Sequence, residues 1–301
     1  MAHENLPRYR SSGRLALSTL PLFIAAAAAG VGTAWLYQSL MSWLPYIYVN
    51  LLICFGFGAG LGVAGAFAVR RGHCRNRIVA LALAVPLALA PIGASYYFAY
   101  RDSLTRSAAS MGVPVDELRE HFGFRTWLAL KQEWGWRVSS SHSGSGGERD
   151  KPDISGAGVL VVWAIEALII SGLTLLIVDT EAAKPYCESC RRWCTQRPLT
   201  LQGLTRADLE GALQMGDLGA VVDLELRGQG DPARALVLTA SVCDGCSDTG
   251  FLSVDEKLTV QRKKQTSSKT THLVRHALLS AEQRAAFVRR HNFAVGQKLA
   301  A

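Results

Sequence analysis

Charged residues are missing from three long stretches of this chain. No Asp, Glu, Lys or Arg occurs in residues 15–69 or 78–100, and residues 154–178 contain only Glu166. A helix needs about 20 apolar residues to cross a hydrocarbon layer about 30 Å thick. The first stretch is too long for one crossing at about 1.5 Å per residue, so it must fold back on itself. The pattern predicts an integral membrane protein and excludes both a single soluble domain and a mainly disordered chain.

The first stretch is expected to turn at residues 38–45, where Ser and Gln add polarity and Pro45 ends a helix. Aromatic residues flank this turn as in an interfacial belt: Trp35, Tyr37, Trp43, Tyr46 and Tyr48. The pattern therefore predicts an α-helical membrane domain of four transmembrane helices, at 15–37, 48–69, 78–100 and 156–178. The second of these has five glycines, Gly56, Gly58, Gly60, Gly62 and Gly65, which favour close helix packing and offer a face for a homo-oligomer.

Arginines in the short segments predict the orientation of the chain. Three lie in the N-terminal segment 1–14 and four in the turn after the second span (Arg70, Arg71, Arg75 and Arg77), whereas the turn between the first two spans has none. The positive-inside rule places the N-terminus and the basic turn in the cytoplasm, and four spans return the C-terminus there. A cleaved signal peptide is the alternative for span one, although its apolar stretch exceeds the usual length of about 7–15 residues. We expect a multi-pass protein of the inner cell membrane.

Segment 101–155 is expected to be external. Leu, Phe and Trp recur at near-helical spacing in residues 116–122 and 125–136, which is typical of amphipathic helices on a membrane surface. Trp127, Trp134 and Trp136 would anchor these helices. Residues 139–153, rich in Ser and Gly and then charged, indicate a linker into the fourth span.

Four of the seven cysteines form two Cys-x-x-Cys pairs, Cys187 with Cys190 and Cys243 with Cys246. Two intervening residues let both thiolates of a tight turn bind one tetrahedral ion, and two such turns complete a four-sulfur site. In a reducing cytoplasm such thiols hold metal more often than they form disulfides. We predict a structural zinc ion, because four thiolates leave no open coordination position for catalysis.

Two other interpretations of the cysteines are open: unrelated turns with reduced thiols, or a dithiol redox couple. The redox couple lacks the α/β setting that such motifs have. Cys194 could substitute as a ligand or be a spare thiol beside Trp193. The interval of 52 residues between the pairs, 191–242, is longer than the roughly 15–20 of a compact zinc ribbon, so it must hold a folded insertion.

Segment 179–301 is expected to be a small α+β cytoplasmic domain. Its predicted elements are a helix at 205–215, strands at 220–226, 233–242 and 251–260, and a last helix to about residue 291. Ser280 and Gln283 form a capping box for that helix. The second cysteine pair therefore lies between two strands, as in a zinc-ribbon knuckle.

The polar stretch 261–271 contains a basic cluster of Arg262, Lys263, Lys264 and Lys269. It is interpreted as a solvated hairpin loop, with contact to anionic lipid head groups or to nucleic acid as alternatives. Much of the net charge of +8 comes from the arginines at the membrane, so nucleic acid is an unlikely partner.

Glu166 is the one acid or base within a predicted span. A carboxyl group at this depth needs a polar partner and is a functional hypothesis by default. It could serve as a buried polar contact, as part of a proton or ion path, or as a contact within an oligomer.

The span pattern, the basic turn and the sequence PYCESC resemble those of bacterial multi-pass membrane proteins that carry a cytoplasmic double-CxxC tail, a group without a characterised activity. The expected function is a zinc-organised cytoplasmic module that binds or positions a protein partner. The alternative is a small oligomeric transporter or channel subunit that uses Glu166. An enzyme is disfavoured, because no constellation of acid, base and nucleophile emerges from the sequence.

Overall fold

The computed structural model describes residues 9–44, 47–137, 153–202, 207, 209, 233–246, 249–262 and 265–299. The chain divides into two compact units. One is Gly13–Ala183, and the other combines Met1–Ser12 with Lys184–Ala301.

Among the described residues of the first unit, four helices are long and apolar enough to cross a membrane: α1 (Thr19–Trp43), α2 (Ile47–Arg71), α3 (Arg77–Met111) and α6 (Ala157–Ala182). Large apolar side chains on them face outward, and Leu52 and Leu168 are both 71% exposed. Such a surface suits lipid rather than water. The prediction of four membrane-crossing helices is therefore confirmed by their length and composition.

All four helices extend beyond their predicted C-terminal ends, and the extensions of α1 and α3 are the longest. α1 continues to Trp43, and in its last turns the hydroxyls of Ser39 and Ser42 donate to carbonyl oxygens of the preceding turn at 2.9 and 3.1 Å. These bonds satisfy the polar side chains inside the helix, so the turn predicted from residue 38 is wrong up to Trp43. α3 continues past residue 100 to Met111 and ends at Gly112, whose φ of 69° is left-handed.

The glycines of α2 divide into two sets. A Cβ atom at Gly58 would lie 2.9 Å from the Cα atom of Ile170, and one at Gly62 would lie 2.7 Å from a side-chain atom of α6. At Gly56 and Gly60 an added Cβ would meet nothing within 4 Å. Part of the predicted glycine face is thus used to pack α2 against α6 within one chain, and another part stays open.

Two ion pairs join the basic turn to the last turn of α6. Arg70 Nε lies 3.0 Å from Glu181 Oε1, and the Glu181 side chain is only 11% exposed. Arg77 donates to both carboxylate oxygens of Asp179, with its Nη2 at 2.7 Å. The end of α6 is therefore fixed against the turn between α2 and α3.

Two shorter helices, α4 (Val115–His121) and α5 (Phe124–Trp134), follow α3. Trp127 is 5% exposed and packs with Tyr100 and Leu104 of α3. It therefore anchors α5 to α3, whereas the sequence predicted that it would anchor the helix to a membrane surface. Trp134 is 72% exposed. Two-residue strands β1 (Trp136–Arg137) and β2 (Asp153–Ile154) pair antiparallel, and the predicted linker before Asp153 lies outside the described residues.

The second unit contains a four-stranded antiparallel sheet. Its strands follow one another in chain order: β5 (Thr195–Gln202), β6 (Arg234–Val242), β7 (Gly250–Arg262) and β8 (Gln265–Leu278). A separate hairpin, β3 (Tyr186–Cys187) with β4 (Arg192–Trp193), precedes it. The sheet and the last helix, α7 (Ala281–Leu299), enclose a core that contains Leu236, Leu238, Leu252 and Phe287.

The predicted capping box is confirmed at the start of α7. Ser280 N–H donates to Gln283 Oε1 at 3.0 Å, and Gln283 N–H donates to Ser280 Oγ at 3.2 Å. The predicted strand 220–226 and most of the predicted helix 205–215 lie outside the described residues, of which Ala207 and Leu209 are helical.

The loop predicted at 261–271 is wrong for most of its length. β7 extends to Arg262 and β8 begins at Gln265, so the basic stretch is mainly strand. Lys269 lies opposite Leu258 in this pairing, and Lys263 and Lys264 are outside the described residues. Thr residues are common in strands, and their pairing with β7 supplies the backbone hydrogen bonds that a loop would lack.

Candidate metal centre

The first cysteine pair lies in the β3–β4 hairpin. Tyr186 and Trp193 are partners across it, and their rings meet edge-on with centroids 5.2 Å apart. Arg191 follows Cys190 with a φ of 53°, so the chain turns through the left-handed region directly after the second cysteine. The hairpin therefore turns Cys187 and Cys190 toward one point.

The second pair connects the end of β6 to the start of β7. Gly245 N–H donates to Cys243 Sγ at 3.4 Å, a bond that favours the thiolate form of this sulfur. A Cβ atom at Gly245 would lie only 3.2 Å from Cys190 Sγ. The Asp-Gly turn thus both stabilises its own cysteine and leaves space for a sulfur of the other pair.

The structure brings the four predicted cysteines together. All four Sγ atoms lie within 4.8 Å of one another, and those of Cys187 and Cys246 are 3.6 Å apart. Zn–S bonds of about 2.3 Å in a tetrahedral site correspond to sulfur–sulfur distances of about 3.8 Å. This cluster can therefore hold a metal ion, and the donor set of four thiols fits a soft or borderline metal.

Without a metal, Cys190 and Cys243 favour their protonated forms. The hydrogen bond with Cys246, followed by burial, raises the pKa of Cys190 to about 12. Burial also raises the pKa of Cys243, although the Gly245 N–H opposes the shift. A bound cation reverses this preference, because it replaces the repulsion among thiolates by attraction.

Residues around the second pair hold its backbone in place. Thr195 and Arg197 of β5 both bind the Asp244 carboxylate, the latter at 3.4 Å. Arg284 of α7 donates to the carbonyl oxygen of Cys246 at 2.9 Å. The sequence offered no spacing signal for these contacts, because they come from segments far apart in the chain.

Cys194 lies close to the four cysteines but is not one of the four clustered sulfurs. It is 5% exposed and packs in the same cluster as Cys187, Cys243 and Phe251. Burial, followed by the charges of the neighbouring cysteines, raises its pKa to about 12. Of the two interpretations from the sequence, this placement favours a spare thiol, packed among the other cysteines.

Tyr9 from the N-terminal segment also contacts this cluster. Its ring lies edge-on to Phe251 with centroids 5.0 Å apart, and its N–H donates to the His276 carbonyl at 2.9 Å. Its hydroxyl oxygen accepts a hydrogen bond from the Tyr186 N–H at 3.3 Å. An isolated tyrosine so far upstream gave no sequence signal of this role.

Glu166 has two hydroxyl partners from other helices. Tyr37 of α1 donates to Oε1 at 2.6 Å and Tyr96 of α3 donates to Oε2 at 3.0 Å. Cys54 of α2 lies 3.3 Å from the Tyr37 hydroxyl. Each of the helices α1, α2, α3 and α6 therefore contributes one polar side chain to the cluster around Glu166. Tyr37 is 3% exposed and stacks on Phe57, which corrects its assignment to an interfacial belt.

The expectation of a polar partner for Glu166 is met by these two tyrosines, although no spacing in the sequence pairs them with Glu166. A tyrosine within an apolar span was the signal available, since its hydroxyl needs a partner when it is buried. With both carboxylate oxygens occupied, the site can act as a buried polar contact among the helices.

Comparison with known proteins returns no match to the chain from a protein-family model, a curated protein or a solved structure. The resemblance to bacterial membrane proteins with a double-CxxC tail therefore stays a prediction.

Proposed function

We propose that this chain is a multi-pass protein of the inner cell membrane whose tail, organised by a structural zinc ion, binds or positions a cytoplasmic protein partner. The observation that carries the proposal is the convergence of four cysteine sulfurs within 4.8 Å of one another. Two separate knuckles supply them, so a single ion links the β3–β4 hairpin to the β6–β7 connection.

The composition of the site favours a structural role for the ion. Four thiolates fill a tetrahedral shell and leave no position for a water molecule or a substrate. Cys187 and Cys243 are buried, at 0% and 4% exposure. The ion would contribute to folding, and the surface that it stabilises would do the binding.

The contacts of Tyr9 support the proposed sidedness. Tyr9 lies upstream of all four long helices and contacts Phe251 and His276, which lie downstream of them. These contacts support the placement of the segments before the first and after the fourth long helix on one side of a membrane, in agreement with an even number of spans. The arginines of the basic turn favour the cytoplasm as that side.

Metal analysis of the purified full-length protein tests the zinc site. We expect one zinc ion per chain, lost in Cys187→Ser and Cys243→Ser. Cys74→Ser is the matched control, since Cys74 is fully buried but lies outside the four-cysteine cluster. Retention of zinc in both knuckle variants would contradict the proposal.

Labelling with an impermeant maleimide tests the sidedness. Ser268→Cys in the tail should react only after permeabilisation, whereas Ser110→Cys at the end of α3 should react in intact cells. Both serines are exposed, so accessibility within the protein does not distinguish them. Labelling of Ser268→Cys in intact cells would show that the tail lies outside the cytoplasm and would contradict the proposed orientation.

Crosslinking in cells tests the binding role. A specific partner should be recovered with the native chain and with Cys74→Ser but not with Cys187→Ser. Recovery of the same partner from all three chains would show that binding does not depend on the zinc-organised tail.

The arrangement around Glu166 supports a second candidate, a small oligomeric transporter or channel subunit. Four helices each supply one polar side chain to this cluster, and Gly56 and Gly60 leave an open face for self-association. Flux into vesicles with Glu166→Gln tests it. If flux disappears in Glu166→Gln but persists in Cys187→Ser, transport is favoured over the binding role as the function of the chain.

A further inference from the structure

We infer that residues 9–12 form a metal-dependent strap: Tyr9 docks them onto the first cysteine knuckle, and loss of the metal releases them. This inference rests on the proposed zinc site and adds a consequence of its occupancy for the residues that precede the first membrane helix.

Tyr9 makes three kinds of contact with the cysteine unit. Its backbone N–H donates to the His276 carbonyl at 2.9 Å, and its hydroxyl accepts from the Tyr186 N–H at 3.3 Å. Its ring packs edge-on to Phe251 and also to His276, with centroids 5.0 and 6.3 Å apart. One residue thereby connects β3, β7 and β8.

The position of Tyr186 links this docking to the metal. Tyr186 directly precedes Cys187, so the hydroxyl of Tyr9 fixes the backbone that presents the first sulfur ligand. Phe251 lies in the same buried cluster as Cys187 and Cys243. Movement of the first knuckle therefore breaks the hydrogen bond from Tyr186 N–H to the Tyr9 hydroxyl and disturbs the cluster against which the Tyr9 ring packs.

A metal ion would add four bonds to the contacts that join the two knuckles, which include a Cys187 Sγ–Thr249 Oγ1 hydrogen bond of 3.4 Å and the packing of the cysteine cluster. The β3–β4 hairpin pairs only two residues on each strand and is not part of the four-stranded sheet. Hairpins of this size are not stable alone in water. Without the ion the hairpin loses its bonds through the metal to the second knuckle. Tyr186, which binds the Tyr9 hydroxyl, then becomes less ordered.

Hydrogen–deuterium exchange of the full-length protein in lipid nanodiscs tests the strap. Zinc-loaded protein is compared with protein treated with a zinc chelator under reducing conditions, and exchange is followed in the peptide that contains Tyr9. We expect chelation to speed its exchange by about tenfold or more, because both the N–H bond and the ring contacts are lost.

Variants separate the contacts of Tyr9. Tyr9→Phe keeps the ring but removes the acceptor for Tyr186 N–H, so zinc transfer to a chelator should be about fivefold faster, as expected for one hydrogen bond. Tyr9→Ala should speed the transfer further and expose the segment even in zinc-loaded protein. Ser11→Ala, an exposed neighbour, is the matched control and should change neither rate.

The outcomes distinguish this inference from the zinc site itself. If the native protein carries zinc that depends on the four cysteines, but Tyr9 exchanges equally with and without it, the strap is refuted and the zinc site stands. If the protein carries no zinc, both fall. The exchange comparison uses only the native chain, so it remains decisive even if Tyr9→Ala does not fold.

Discussion

The packing of α2 against α6 predicts opposite effects for two glycines that are two residues apart. In Gly58→Ala the new Cβ atom would lie 2.9 Å from the Cα atom and 3.0 Å from the carbonyl oxygen of Ile170. Both are backbone atoms, so no side-chain rotation relieves the contact and the helices must separate. Overpacking of this kind costs about 1–3 kcal/mol, which exceeds the gain of about 0.5–1 kcal/mol from replacing glycine by alanine in a helix.

Gly60→Ala is the matched control, because nothing lies within 4 Å of its added Cβ atom. It should be neutral or stabilise the helix by about 0.5–1 kcal/mol, so the two variants should differ by about 2 kcal/mol. Unfolding in mixed micelles, followed by helical ellipticity, measures this difference. Equal stability of the two variants would refute the packing. If instead Gly60→Ala lowers the stability of a dimer, the open glycine face is an interface between copies.

Three further outcomes are expected. Zinc affinity should fall as the pH falls, because the pKa of Cys190 is raised to about 12 and binding displaces its proton. Each proton released changes the apparent affinity about tenfold per pH unit, and a flat response in chelator competition between about pH 6 and 8 would contradict this. Glu166→Leu should destabilise the helices by about 1–3 kcal/mol for each of the Tyr37 and Tyr96 hydroxyls that it leaves without an acceptor. Glu166→Gln keeps an acceptor oxygen and should cost less. Equal losses of stability for the two variants in detergent unfolding would disprove the contact. Ser280→Ala should cost the tail about 1 kcal/mol by removing the N-cap of α7, and an unchanged denaturation midpoint would exclude that role.

The four long helices could be predicted because hydrocarbon excludes charges, so the absence of charged residues is itself the signal. Their ends could not be predicted by the same argument. Ser39 and Ser42 are polar, but each satisfies its hydroxyl within α1, and the helix therefore continues. α3 continues beyond the apolar stretch because residues 101–111 contain neither proline nor glycine, and it ends where Gly112 follows.

The four sulfur ligands could be predicted because two-residue spacing is a local property of a tight turn. Their surroundings depend on contacts between distant segments, which a single sequence does not encode as a spacing. Tyr9, Arg197 and Arg284 each approach the cysteines from a different part of the chain. Tyr37 was misassigned for the same reason, since its partner Glu166 is 129 residues away.

In the proposed topology, with the basic turn in the cytoplasm, two arginines would have successive tasks during biogenesis. Arg70 and Arg77 would retain this turn in the cytoplasm while the first three helices are inserted, before α6 supplies its acidic side chains. Once α6 has followed, Glu181 and Asp179 neutralise them. Charge reversal at these two acids should therefore leave the direction of insertion unchanged and impair the later assembly of the helices.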